Sequence, residues 1–269
     1  MKPFNVHSPI GRRIPILLSV PHCGVKIPDE LAASIKDEML ETRDDADWFV
    51  DKLYDFAPSL GMTMITSNFH RWVIDLNRDP EDKPLYADGR IITGLCPVTD
   101  FLGELLYKDK RQSIDADEIL ERRRLYYDPY HQQLIALLSE IKDEFGKVIL
   151  WECHSIRQYV RTIYRDKFPD LILGDAEGAA ASPVLIEAAF SCLQSSHYSV
   201  SHNFPFSGGY ITRTYGRPLE NQHALQLEMT KINYMDDTEV RYDESRAEKM
   251  GRLLSDTLTS LAESLIAKV

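Results

Sequence analysis

Two short apolar, β-prone runs each break off at a histidine. Ile14–Val20 stops at Pro21-His22-Cys23-Gly24, and Val148–Cys153 runs straight into His154-Ser155. Runs this short read as buried strands, far below the length of a membrane span. Between and beyond them the pattern alternates. Periodicity predicts helices over Asp29–Leu40 and Ala46–Phe56, the second with an apolar stripe of Phe49, Val50, Leu53, Tyr54 and Phe56. Strands are expected at Met62–Thr66 and Trp72–Leu76, then a long loop over residues 79–100. A helical stretch follows from Asp115 to Phe145, with a break near Asp128-Pro129. Further strands are expected at Leu171–Leu173, Tyr198–Ser201, Tyr210–Arg213 and Leu225–Met229, with helices over Ser182–Leu193 and Asp243–Ala267. No repeat or linker interrupts this alternation, which implies one α/β domain over residues 1–269 with a mixed, largely parallel sheet. In open sheets of that kind, sites form where the strands end.

Composition narrows the partners. The chain of 269 residues has a formal net charge of −11 and no basic block to offset it, which argues against nucleic acid. The N-terminal Met1-Lys2-Pro3-Phe4-Asn5 lacks the apolar core of a signal peptide, and no membrane-length run exists, so a cytoplasmic protein without a membrane partner is expected. Cys23, Cys96, Cys153 and Cys192 form no close CxxC pair. They are expected to be free thiols rather than a structural zinc knuckle.

His22 and His154, each just past or at the end of a core strand, suit neutral imidazole ligands for zinc. A third, carboxylate ligand has two candidates at that level, Asp45 and Asp47, in Asp44-Asp45-Ala46-Asp47-Trp48; either also suits a helix N-cap. Glu152, two residues from His154, shares its strand face and is either a partner that orients the imidazole or a paired surface charge. In Arg71-Trp72-Val73-Ile74-Asp75-Leu76-Asn77-Arg78 the Asn-Arg pair suits a carboxylate, with an Asp75–arginine salt bridge as the alternative. Ser207-Gly208-Gly209 precedes a third arginine, Arg213. Glu228, on an otherwise largely apolar strand, is either paired with a cation or raised in pKa as a general base, and His223 is near enough to be its partner.

Taken in order, Pro21-His22-Cys23-Gly24, Asp45-Ala46-Asp47-Trp48, Arg71 to Arg78, Glu152-Cys153-His154-Ser155, Gly208 to Arg213 and His223 to Glu228 resemble the N-formylglutamate amidohydrolase family over about residues 14–235. That family is related to zinc carboxypeptidases and to the aspartoacylase and succinylglutamate desuccinylase group. The resemblance implies a three-layer α/β/α fold and a zinc amidohydrolase acting on a small N-acylated acidic amino acid, most simply N-formyl-L-glutamate in histidine breakdown. It departs from the relatives' His-x-x-Glu metal motif, because Val25 stands where the glutamate would be, and Glu152 stands where the family usually has Asp. Carried over residue by residue, the resemblance implies zinc on His22, Asp47 and His154, with Asp45 as the alternate. It implies Glu228 as general base, Arg71 on the scissile carbonyl, and Asn77 and Arg78 on a substrate carboxylate; Arg213 is the candidate for a second carboxylate. The alternatives are another N-acyl amino acid or small peptide as substrate, or a catalytically silent homologue.

Overall fold

The computed structural model of the chain describes residues 2–42, 44–85 and 93–267, so part of the expected 79–100 loop lies outside the described residues. Its sheet contains β1 (Phe4–His7), β2 (Ile16–Val20), β3 (Thr63–Ser67), β4 (Val148–Ile156), β5 (Leu171–Gly174), β6 (Val200–His202) and β7 (Gln222–Thr230). The spatial order is β1-β3-β2-β4-β7-β5-β6. β3, β2, β4 and β7 are mutually parallel, while β1 joins β3 and β5 joins β7 in antiparallel pairing. The helices are α1 (Asp29–Ala32), α2 (Asp37–Thr42), α3 (Val50–Leu53), α4 (Ala116–Arg122), α5 (Asp128–Phe145), α6 (Pro183–Gln194), α7 (Tyr210–Tyr215) and α8 (Glu244–Ile266).

Side-chain alternation along the strands builds two cores. Ile16, Leu18 and Val20 of β2 pack with Ile149, Trp151, Leu225 and Leu227 against α3, α6 and α8. Leu17, Val148, Leu150 and Ala224 face the opposite way, against α5 and α7. The expected three-layer α/β/α sandwich results. Its connectivity locates the cleft. β2 leads through α3, on one face, to β3; β3 leads through α5, on the other face, to β4 on the far side of β2. Chain leaving β2 runs to β3 on one side and chain leaving β4 runs to β5 on the other, so the two part in different directions and a crevice opens above their carboxyl ends.

Four expectations need correction. Trp72–Leu76 is not a strand but runs through turns above the end of β3. Its backbone is satisfied instead by local and side-chain bonds: Asn77 N–H donates to Asp75 Oδ1 (2.9 Å) and the buried Arg122 Nη1 donates to the Val73 carbonyl (3.0 Å). Tyr210–Arg213 is the start of helix α7 rather than a strand. The expected helix Asp29–Leu40 is split into α1 and α2, and Ala46–Phe56 yields only the short α3. The expected break near Asp128-Pro129 is a π-helical segment, Arg123–Tyr127, through which α4 continues into α5 with Pro129 in the first turn. β1 was not anticipated by any apolar pattern. The four cysteines are free, as expected, and no helix among the described residues is long and apolar enough to cross a membrane.

His131 of α5 ties that helix to the turns above β3. Its Nε2 donates to the Leu76 carbonyl (2.9 Å), and its Nδ1 accepts from the Tyr215 hydroxyl (2.8 Å), which requires the neutral ring. Burial pushes its pKa down to about 4, partly countered by the bond to Leu76. An unfolded histidine titrates near 6.5, so on acidification the unfolded chain takes up this proton first. The His131 contribution is therefore complete above about pH 6.5 and is lost as pH falls toward 4, at up to about 1.4 kcal/mol per pH unit. Denaturant titrations at pH 7, 6 and 5 should show a steeper acid loss of stability for wild type than for His131→Gln; parallel pH profiles would count against it.

Candidate active site

The residues at the crevice come from four strand ends. His22 lies just beyond β2, and its carbonyl accepts the Asp47 N–H (2.9 Å), which docks the turn bearing Asp47 onto the strand end. Gly24 follows because the chain passes against the backbone of Phe69, where a Cβ would collide. Phe49, two residues past Asp47, turns the chain into α3 with φ of 64°, a strained left-handed conformation for so large a side chain. His154 and Glu152 project from the same face of β4, and His154 is in register with Glu228 of β7.

The two imidazoles are held from behind by carboxylates. His22 Nε2 meets Asp75 Oδ1 at 2.8 Å, and the other Asp75 oxygen takes Arg71 Nη2 at 2.5 Å. Burial works to raise the Asp75 pKa, but Arg71, His22 and Arg78 outweigh it and keep this carboxylate ionised. His22 Nε2 must then carry the proton. Burial and Arg71 together lower the His22 pKa, which leaves a neutral ring with a lone pair on Nδ1. That Nδ1 is buried, has no hydrogen-bond partner among the described residues, and lies 3.7 Å from Asp47 Oδ2. His154 mirrors this arrangement, with Nε2 at 2.6 Å from Glu152 Oε1 and Nδ1 at 3.0 Å from the same Asp47 oxygen. Burial opposes charge on His154, yet Glu152 and Asp47 raise its pKa well above the ordinary value.

Two nitrogens and a carboxylate oxygen thus converge, the ligating atoms of His22, Asp47 and His154 lying within 4.8 Å of one another. This donor set fits a divalent cation. A buried lone pair facing a carboxylate has no protein partner to satisfy it, and carboxylates behind both rings fix the tautomers that metal ligation needs. The extra proton on His154 is the one a cation would displace. Asp45 is elsewhere engaged: it accepts Trp72 Nε1 (2.8 Å) and the Phe101 N–H (3.2 Å), so the structure brings Asp47 rather than Asp45 to the histidines.

Around this cluster the cleft has a polar wall that includes Arg71, Asn77, Arg78 and Glu228, and an apolar wall of Leu85, Phe101, Ile156, Ile163 and Phe206. Glu228 makes no hydrogen bond or ion pair among the described residues, and desolvation pushes its pKa up to about 8, with Asp47 and Glu152 adding to the rise against His154 and Arg71. Of the two sequence readings of Glu228, the paired one therefore fails. Asn77 Nδ2 lies 3.1 Å from His154 Nε2, and its Oδ1 accepts the Ile211 N–H (2.8 Å). Gly209 must be glycine, since a Cβ there would collide with the Asn77 carboxamide. Arg78 reaches the cleft while donating to the Thr93 carbonyl (2.7 Å). Arg213 does not reach it: exposed on α7, it donates to the Gly208 carbonyl (2.9 Å) and Ser207 Oγ (2.8 Å).

The family described as N-formylglutamate amidohydrolase matches residues 14–235. The chain belongs to that family. It is 38% identical over 255 residues to the N-formylglutamate deformylase of Pseudomonas putida, an alignment covering 93% of this chain and 92% of the relative. It is 37% identical over 253 residues to the N-formylglutamate deformylase of Pseudomonas aeruginosa, covering 93% of each. The crystal structure of an N-formylglutamate amidohydrolase from Ralstonia eutropha superposes with a TM-score of 0.83 at 25% identity, each chain being covered completely.

Three contributors were not singled out from the sequence. Thr212 donates its N–H (3.1 Å) and its hydroxyl to Glu152 Oε2, so the α7 N-terminus steadies the carboxylate behind His154. Gln226 lines the cleft and accepts the Gly209 N–H (2.7 Å); its place two residues before Glu228 on one strand face was a usable signal. The Phe101 ring lies 4.6 Å from Arg71 Cζ, and nothing in its local sequence indicates that. Equilibrium dialysis of chelator-stripped wild type is expected to show one divalent ion bound per chain. His154→Ala should abolish this, and Glu152→Gln should weaken it about 10- to 100-fold. Full occupancy of His154→Ala would remove His154 from the ligand set.

Proposed function

We propose that the protein is a zinc-type, metal-dependent deformylase that hydrolyses N-formyl-L-glutamate to formate and L-glutamate in the cytoplasm, within histidine breakdown. The observation that carries this reading is the convergence of two carboxylate-braced imidazoles on Asp47, beside the unpaired Glu228 and the Arg71, Asn77 and Arg78 wall. The substrate follows from the curated Pseudomonas relatives.

His22, Asp47 and His154 would hold the ion through two nitrogens and one oxygen. When bound, such an ion supplies Lewis acidity, making water a better acid and a carbonyl a better electrophile. The remaining work falls to the chain. A Glu228 carboxylate oxygen takes a proton from the attacking water and returns it to the leaving amine nitrogen, a shuttle suited to a carboxyl whose pKa lies near neutrality. Arg71, buried and with its Nε unpartnered, donates to the oxygen that becomes negative as the formyl carbon turns tetrahedral. Asn77 and the Arg78 fork bind a substrate carboxylate, and the apolar wall packs along the methylenes of the glutamyl chain. Arg213 acts in this scheme by bracing the Ser207–Gly209 turn rather than by touching substrate.

The test is an assay of metal-reconstituted protein against the formyl, acetyl and succinyl derivatives of glutamate and aspartate. N-formylglutamate should be turned over fastest. Equal rates across acyl groups, or no hydrolysis of any of them, would sink the assignment. In the same assay Glu228→Gln should lower kcat by about 10²–10⁴-fold with metal content unchanged; near-normal turnover would move the base elsewhere, first to Glu152.

A further inference from the structure

We infer that Phe101 is a positioning residue for Arg71, its ring holding the guanidinium plane turned toward the reacting carbonyl. The inference rests on the role proposed above for Arg71 and adds a residue outside the ligand and substrate contacts.

Arg71 is held loosely by polar bonds alone. It is 7% exposed, and among the described residues its side chain makes one hydrogen bond, from Nη2 to Asp75, while Nε is buried without a partner. One bond at one end of a guanidinium sets a distance but leaves the plane free to tip. The Phe101 ring supplies the missing constraint. Arg71 Cζ lies over the Phe101 ring, 4.6 Å from its centroid and within range of a favourable cation–π contact, and a ring packed there bars the guanidinium from moving toward it.

The ring is itself fixed. The Phe101 N–H donates to Asp45, 3.2 Å from each carboxylate oxygen, and the Phe101 carbonyl accepts Thr162 Oγ1 at 2.5 Å. Asp45 also takes Trp72 Nε1 at 2.8 Å, and Trp72 is the residue after Arg71. The contacts close a circuit: Arg71 to Trp72 along the chain, Trp72 to Asp45, Asp45 to Phe101, and Phe101 back onto Arg71. Segments following β2 and β3 meet in it, and Thr162, after β4, anchors it through the Phe101 carbonyl, so the guanidinium is referenced to the same strand ends that carry His22 and His154. If Phe101 were only part of the apolar wall, an aliphatic side chain of similar bulk would replace it and Arg71 would not respond.

The test compares Phe101→Leu, which keeps apolar bulk without a π face, with Phe101→Tyr, which keeps the face. The Arg71 Hε resonance, assigned by its loss in Arg71→Lys, should lie upfield in wild type and Phe101→Tyr and move downfield in Phe101→Leu. In metal-loaded protein, Phe101→Leu should lower kcat on N-formylglutamate about 5- to 30-fold, with KM changing less and metal stoichiometry unchanged, and Phe101→Tyr should recover most of the loss. Thr162→Val, which unties the Phe101 carbonyl away from the cleft, should shift Hε and lower kcat in the same direction by a smaller factor. A Phe101→Leu protein with wild-type kcat and an unmoved Hε would overturn the inference, as would a Phe101→Tyr protein as impaired as the leucine variant. If wild type leaves N-formylglutamate intact, the functional reading fails, and the Hε displacement still decides whether the ring holds the guanidinium.

Discussion

The parting of the chain above β2 and β4 is the constraint on which the rest depends. These strands are neighbours and parallel, but the chain leaving β2 crosses through α3 to β3 on one side, while the chain leaving β4 runs to β5 on the other. No covering element can close the gap between two connections that leave in different directions, so polar groups can be brought to a place that is buried and still reachable. His22 ends one strand and His154 projects near the end of the other. Their rings sit 5.0 Å apart because adjacent parallel strands impose that order of spacing.

A site in that position concentrates charge. Asp47, Asp75 and Glu152 stand with Arg71 and a His154 of raised pKa in a region almost without solvent, and the partly buried Arg78 lies beside them. Opposite charges there are nearly matched, and removing any one leaves an uncompensated buried charge. A dication held in place of the His154 proton would tip this balance positive, and would draw a carboxylate-bearing substrate locally to a protein whose overall charge of −11 would repel it. Glu228 stands apart as the unpaired member, and its raised pKa follows from desolvation, with Asp47 and Glu152 adding to the rise against His154 and Arg71.

Turns rather than regular elements deliver much of this chemistry. Asp75, Asn77 and Arg78 lie on turns whose backbone groups are satisfied by Asp75 itself, by Leu95 and by Arg122. α7 begins with its free N–H groups on Asn77 and Glu152, so a helix terminus substitutes for the capping side chain its sequence lacks. Both arrangements trade local regularity for placement, and both occur where the local pattern misled: an apolar run with the period of a strand is wrapped over strand tops, and a β-prone Tyr-Ile-Thr is taken into a helix.

By itself the sequence determined the alternation that makes an α/β sandwich, the burial of β2, β4 and β7, and the presence of His22, His154 and Glu228 at or near strand ends. These depend on local period and on where apolar runs stop, which neighbouring residues carry. The resemblance over residues 14–235 added roles that spacing left open. Only the tertiary structure decided between Asp45 and Asp47, which are two residues apart and equally suited to either task. Asp45 is turned toward Trp72 and Phe101, and Asp47 toward the two rings. It likewise withdrew Arg213 from the cleft, brought Phe101 and Gln226 to its wall, and set Thr212 on the carboxylate behind His154. The Asp45–Trp72, Phe101–Arg71 and Thr212–Glu152 contacts join segments tens of residues apart in the chain, and such contacts follow from packing rather than from local pattern.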